Sequence, residues 1–192
     1  MKKLALVLSL VLMLTFVGCS SKTTVKETDA FRFDSKTGYA YSTAPFGIYT
    51  TELESAIGSK LTMVSESPAT APFAYTNYLS EDIVQSAGCS GKFDAQFDEN
   101  DKLFSVTFHE QLARGTAEEH FEAASKRFTE TFGAPAVQDD NGTGTQYLEW
   151  QDKSSGTALG LTYSDLGTTD PTLMISVFEK SRYVEAGTGE WK

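Results

Sequence analysis

The chain has 192 residues, with 16 basic against 26 acidic side chains, a formal charge of −10 and two cysteines. An acidic balance of this size argues against nucleic acid as a partner, because phosphate binding needs a basic face. It argues equally against electrostatic docking on anionic lipid.

In chain order, Met1-Lys2-Lys3 is a basic start, and Leu4 to Val17 is an apolar run of fourteen positions broken only by Ser9 and Thr15. A membrane-spanning helix needs about 20 apolar residues. A charged start, a short apolar stretch and a small-residue close at Val17-Gly18-Cys19 describe a removable export segment instead. The stretch resembles a bacterial lipoprotein signal peptide, with Phe16 where that family most often has leucine. The resemblance implies a signal over residues 1–18 and lipidation of Cys19. It also implies an extracytoplasmic chain held by acyl chains to the outer face of the cell membrane, or to the outer membrane of a two-membrane cell. The alternative is an uncleaved anchor, or an ordinary secretory signal with an incidental cysteine.

Cleavage strips Lys2 and Lys3, leaving 14 basic against 26 acidic residues and a formal −12. Residues 19–40 then read as the lipidated cysteine and a flexible tether, since Ser20 to Asp29 is polar, aperiodic and short of apolar surface. Cys89 becomes the single remaining thiol, expected to be buried, with a reactive or intermolecular role as the alternative. About 150 residues follow, the size of one domain or of two small fused repeats. The expected limits are 41–183 for the domain, with halves of about 46–112 and 113–183, and a tail over 184–192.

Thr51 and Glu54 have capping-box spacing, Leu53 and Ile57 share a helical face, and Gly58 ends the helix. Leu61 to Val64 and Phe73 to Leu79 read as strands, separated by a Pro68 to Pro72 break. Phe93, Ala95 and Phe97 alternate with polar residues; so do Phe104, Val106 and Phe108, across a turn at Asp98 to Asp101. That pattern predicts a half-buried hairpin with Ser105, Thr107 and His109 on its polar side. Thr116 and Glu119 repeat the capping-box spacing. Ala117, Phe121, Ala124, Phe128 and Phe132 then form one helical stripe ending at Gly133 and Pro135. Three further strands are predicted at Tyr147 to Trp150, Leu159 to Tyr163 and Leu173 to Val177.

Strands in succession after each helix favour an antiparallel meander over parallel crossovers. The expected fold is α+β, built of two α-β-β-β units with helices packed on meander sheets. Phe46-Gly47-Ile48-Tyr49-Thr50-Thr51-Glu52-Leu53, running into a helix that ends at Gly58, and the second helix ending Phe132-Gly133-Ala134-Pro135, carry a family likeness. They resemble the helix-plus-meander lipoproteins of the outer-membrane assembly factor SmpA type and their tandem relative, the β-lactamase inhibitor protein fold. That inhibitor family uses disulfides, and this chain has no pair available once Cys19 is lipidated. No functional residue transfers with the likeness.

The chain carries no complete catalytic motif. Gly88-Cys89-Ser90-Gly91-Lys92 has lysine where a nucleophile elbow needs glycine, and Ser86 and Phe93 break a phosphate loop. Cys89 with His109 or His120 would make a thiol hydrolase, but no spacing brings them together. The two histidines form no metal pattern. Glu118, Glu119 and Glu122 suit the positive start of a helix. Asp139 to Gly144 reads as a turn, because a calcium loop counted from Asp139 would end at Trp150. No cofactor and no metal are expected. Tyr39, Tyr41, Phe46, Tyr49, Tyr75 and Tyr78 crowd the first half, some as core and some as contacts for a peptide or glycan.

The leading expectation is a non-enzymatic binding or scaffold module of the cell envelope, presenting Ser105, Thr107 and His109 on an open sheet face to another envelope protein. The alternative is a lipid-anchored protein for a small molecule, glycan or cation, with a site lined by Tyr75 and Tyr78.

Overall fold

The computed structural model describes residues 25–28, 30–41, 44–86, 89–111, 116–167 and 170–192. The expected signal over 1–18 and the lipidation site Cys19 lie outside the described residues, as does the side chain of Cys89. The architecture is mixed α+β and dominated by antiparallel sheet. No described helix is long and apolar enough to cross a membrane.

Three short strands come first: β1 (Val25–Thr28), β2 (Phe31–Asp34) and β3 (Gly38–Tyr41), paired antiparallel in that order. From residue 25 onward they correct the tether expected over 19–40, whose first residues, 19–24, lie outside the described residues. Phe31 is fully buried, edge-on to Tyr41 at 5.6 Å and to Phe128 at 5.9 Å, and Tyr41 meets Phe93 at 4.9 Å. A few large rings bury enough apolar area, at roughly 25 cal/mol per Å², to order a segment whose average composition is polar.

Helix α1 (Thr50–Ile57) buries Leu53 and Ile57 and ends at Gly58 in the left-handed region, φ 69°. Its capping box sits two residues earlier than the spacing predicted: the Glu52 carboxylate accepts the Tyr49 N–H at 2.8 Å. Glu54 turns the other way, accepting Lys60 Nζ at 2.7 Å and the Leu61 N–H at 3.0 Å. Strands β4 (Leu61–Glu66), β5 (Thr76–Ser80), β6 (Val84–Ser86), β7 (Cys89–Phe97) and β8 (Leu103–Gln111) follow. Helix α2 (Ala117–Phe132) matches its predicted span and ends at Gly133. After it come β9 (Val137–Asp140), β10 (Thr145–Asp152), β11 (Thr157–Ser164), β12 (Thr172–Phe178) and helix α3 (Lys180–Glu185).

Strands β4 to β12 form one sheet in the order β4-β5-β7-β8-β12-β11-β10-β9, with β6 paired to β7. The two meanders therefore meet through their last strands, β8 and β12. One face of the sheet is apolar: Phe93, Ala95, Val106, Phe108, Ile175 and Leu161 are buried there. Against it lie α2, through Phe121, Ala124 and Phe128, and the small N-terminal sheet, whose β3 crosses β11 and β12. The Trp150 indole closes this core, donating to the Gly133 carbonyl at 2.7 Å and meeting Phe128 at 5.7 Å.

The expected tail over 184–192 is also corrected, since its boundary falls inside α3. The Lys192 N–H donates to Gln151 Oε1 at 2.9 Å, and Trp191 lies 5.7 Å from Lys180 Nζ. These contacts hold the C-terminal residues against the opposite, open face of the sheet.

Candidate functional site

Because side chains alternate along a strand, the apolar set on one face fixes a second set on the other. On β8 this set is Ser105, Thr107 and His109, and the register places Gln96, Asp94 and Lys92 of β7 beside them. On the other flank β12 supplies Phe178, Ser176 and Met174. The Thr107 and Ser176 hydroxyls bond across the strand pair at 2.9 Å, at the centre of the face. Thus the three β8 residues singled out from the alternation share the face opposite the core, with Thr107 and His109 half-buried and Ser105 buried.

Of the two tyrosines expected with them, Tyr78 faces the other way, and Tyr75 joins the aromatic cluster behind Tyr183 without lining either depression. Tyr78 lies opposite the buried Ala95 and packs on Phe97 at 5.4 Å, which puts it on the core side. Tyr75 stands in the loop before β5, 6.2 Å from Phe73 and 6.4 Å from Phe104. Two other tyrosines take the place expected of them. Tyr147 comes from β10, and Tyr183 from α3, where its hydroxyl donates to Gln96 Oε1 at 3.2 Å. Tyr183 is wedged against Phe178 at 5.7 Å and Phe73 at 5.2 Å. Nothing local in the sequence marks either one. Tyr147 reaches the face through the register of β10, and Tyr183 through the docking of a six-residue helix.

Tyr147 is held by a buried polar network. Its hydroxyl donates to Glu149 Oε2, while Glu149 Oε1 accepts Lys180 Nζ at 2.5 Å and Gln151 Nε2 at 2.6 Å. Burial and the neighbouring Glu149 carboxylate push the Tyr147 phenol well above its ordinary value, and burial pushes Tyr183 up to about 12. Both phenols therefore stay protonated at neutral pH. Gly160 on β11 lets the Tyr147 ring lie close over the sheet, for a Cβ there would come within 3.2 Å of the ring.

The face divides into two depressions. The first, of about 280 Å³, lies between Tyr147 and Tyr183 over a floor of Gln96, Ser105, Thr107 and Ser176. The second, of about 580 Å³, lies at the far end of β7 and β8, where Leu79 and the 67 % exposed Ile83 border Lys92, Asp94 and His109. Burial holds the His109 imidazole below its ordinary value, against the opposing pull of Asp94. Asp94 also accepts Asn77 Nδ2 at 3.0 Å.

His120 lies elsewhere, on α2, with its Nδ1 3.2 Å from the buried Glu110 carboxylate. The Asp139 to Gly144 segment spends its side chains on its own turn: Asp140 accepts the Gly142 N–H, and Asn141 accepts those of Thr143 and Thr145. Among the described residues no three His, Cys, Asp or Glu side chains converge as metal ligands. Comparison with protein-family models, curated proteins and solved structures returns no match.

Proposed function

We propose that this chain is an exported lipoprotein, anchored through Cys19, that acts as a non-enzymatic binding module of the cell envelope and presents the open sheet face to another envelope protein. In this reading the α+β domain comprises two helix-plus-meander units, each giving half of that face, and its first strands begin close to the anchor.

The observation that carries the reading is the larger depression. Ile83 and Leu79 supply an accessible apolar centre, and Lys92, Asp94 and His109 supply a charged and polar edge. An apolar centre inside a polar rim is the make-up of a protein–protein interface. The Cys19 anchor adds a partner on the same membrane, where tethering raises effective concentration without further contact.

The test is photo-crosslinking from His109 of the full-length protein in native membranes. A discrete crosslinked species is expected, lost in Ile83→Asp, which puts an unpaired charge at the apolar centre. Absence of any reproducible species, or its persistence in Ile83→Asp, counts against the proposal.

A further inference from the structure

The smaller depression differs in chemistry from the larger one. None of the described residues that line it is Asp, Glu, Lys, Arg or His, although the chain as a whole is 22 % charged. Its floor is instead three hydroxyls and a primary amide, from Ser105, Thr107, Ser176 and Gln96. A hydroxyl rotates to donate or accept, and an amide does both, so such a floor matches a ligand whose own groups do both. Its walls, Tyr147 and Tyr183, combine apolar area with a polar tip.

Those walls are fixed in advance. Tyr147 is tied to Glu149, which Lys180 and Gln151 hold in turn, and Tyr183 is tied to Gln96 and backed by Phe73 and Phe178. Preorganised side chains lower the ordering cost that binding would otherwise incur. Of the nearby carboxylates, Glu149 has its charge met by Lys180 at 2.5 Å, and Asp94, opposite Thr107, lines the other depression and accepts Asn77 Nδ2 at 3.0 Å. A charged ligand seated between the two tyrosines would shed water and touch no counter-charge among the described lining residues. The volume of about 280 Å³ leaves room for a ligand as small as one sugar ring.

We infer that the Tyr147–Tyr183 groove binds a single neutral sugar ring, as a free monosaccharide or the terminal unit of a glycan. This site adjoins the protein-docking depression on the same face, across the Asp94–Thr107 pair, but has its own lining, and neither reading depends on the other.

The test is saturation-transfer NMR on the full-length protein in a detergent without a sugar headgroup. The probes are glucose, galactose and N-acetylglucosamine at millimolar concentration, beside glucuronate and glucosamine as charged counterparts. At least one neutral sugar is expected to receive saturation and to exceed both charged ones. Thr107→Val keeps the side-chain shape and removes a floor hydroxyl, and is expected to weaken that binding about tenfold, the size of one lost hydrogen bond. Tyr147→Ala, which removes a wall, is expected to weaken it further, and circular dichroism shows whether each variant is folded. A terminal residue of a glycan is distinguished from a free sugar by tighter binding of the corresponding disaccharide; either result supports the groove. Silence from all three neutral sugars overturns the inference, as does stronger binding of a charged counterpart or unchanged affinity in a folded Thr107→Val. The crosslinking result with Ile83→Asp, at the other depression, is unaffected by any of these outcomes.

Discussion

Glycines show how differently one residue type is used in this chain. Gly38 and Gly47 both sit in the left-handed region, with φ of 78° and 82°. A Cβ at Gly38 would fall 2.0 Å from Ser155 Oγ and 2.1 Å from Thr157 Oγ1, whereas at Gly47 it would meet nothing within 4 Å. The backbone conformation alone costs an alanine about 1–2 kcal/mol, and forcing a methyl into packed neighbours adds about 1–3. Gly38→Ala is therefore expected to lose about 2–5 kcal/mol in urea unfolding, and Gly47→Ala only the backbone share of about 1–2. Equal losses would mean that the Ser155–Thr157 turn gives way freely. The neighbouring Tyr39 N–H donates to Thr157 Oγ1 at 2.8 Å, so movement of that turn also strains a buried bond.

At the scale of elements, the small N-terminal sheet is the segment whose character changes most between sequence and structure. Phe31→Ala is expected to cost about 3–5 kcal/mol, as for a buried core phenylalanine, where a residue in a flexible tether would stay within about 0.5. Chemical denaturation separates the two by a wide margin. The reason β1 and β2 escape a reading by pattern is that each has four residues, too few to establish a period, and Val25-Lys26-Glu27-Thr28 has no apolar alternation. Strand β9, Val137-Gln138-Asp139-Asp140, is hidden for a related reason: it is a short acidic edge strand, composed to discourage pairing. By contrast, β7, β8 and α2 run for nine, nine and sixteen residues, and their periods of two and 3.6 are unmistakable. The candidate site divides along the same line. Ser105, Thr107 and His109 follow from alternation within one strand. Tyr147 and Tyr183 depend on how distant strands and a short C-terminal helix are brought into register, which no local pattern records.

At the scale of the whole molecule, stability should follow pH through a few specific groups. His109 takes up a proton less readily folded than unfolded, because burial disfavours the charged form. Its contribution is complete above the unfolded value of about 6.5 and is lost as pH falls through the lower folded value. Asp98 and Asp152 act in the same sense further down. Burial raises each, but hydrogen bonds outweigh it: Asp98 accepts the Asn100 and Lys102 N–H groups and Arg182, and Asp152 accepts from Ser154 and Ser155. Their share is lost as pH falls below about 4. Urea midpoints are therefore expected to decline from pH 7 to pH 5, with a shallower decline in His109→Gln. Parallel declines in both proteins would assign that window to other groups.

The strand order also has a temporal meaning. Along the large sheet nearly every pair is a hairpin between neighbours in the chain, so most of it can form from local closures. The β8–β12 pair is different, joining residues such as Thr107 and Ser176 that lie 69 positions apart. Closing so long a loop must precede any reward from the contacts it makes, which slows that step. The N-terminal sheet waits for the same event, because β3 rests on β11 and β12 and Gly38 seats against Ser155 and Thr157. The first strands to be synthesised are thus among the last able to dock. Until the C-terminal meander is complete, Tyr41 can meet Phe93 and Phe31 can meet Phe128, but β3 has no strand to rest on and the Tyr39 N–H no Thr157 hydroxyl to reach, so the opening segment of the chain becomes the closing piece of the fold.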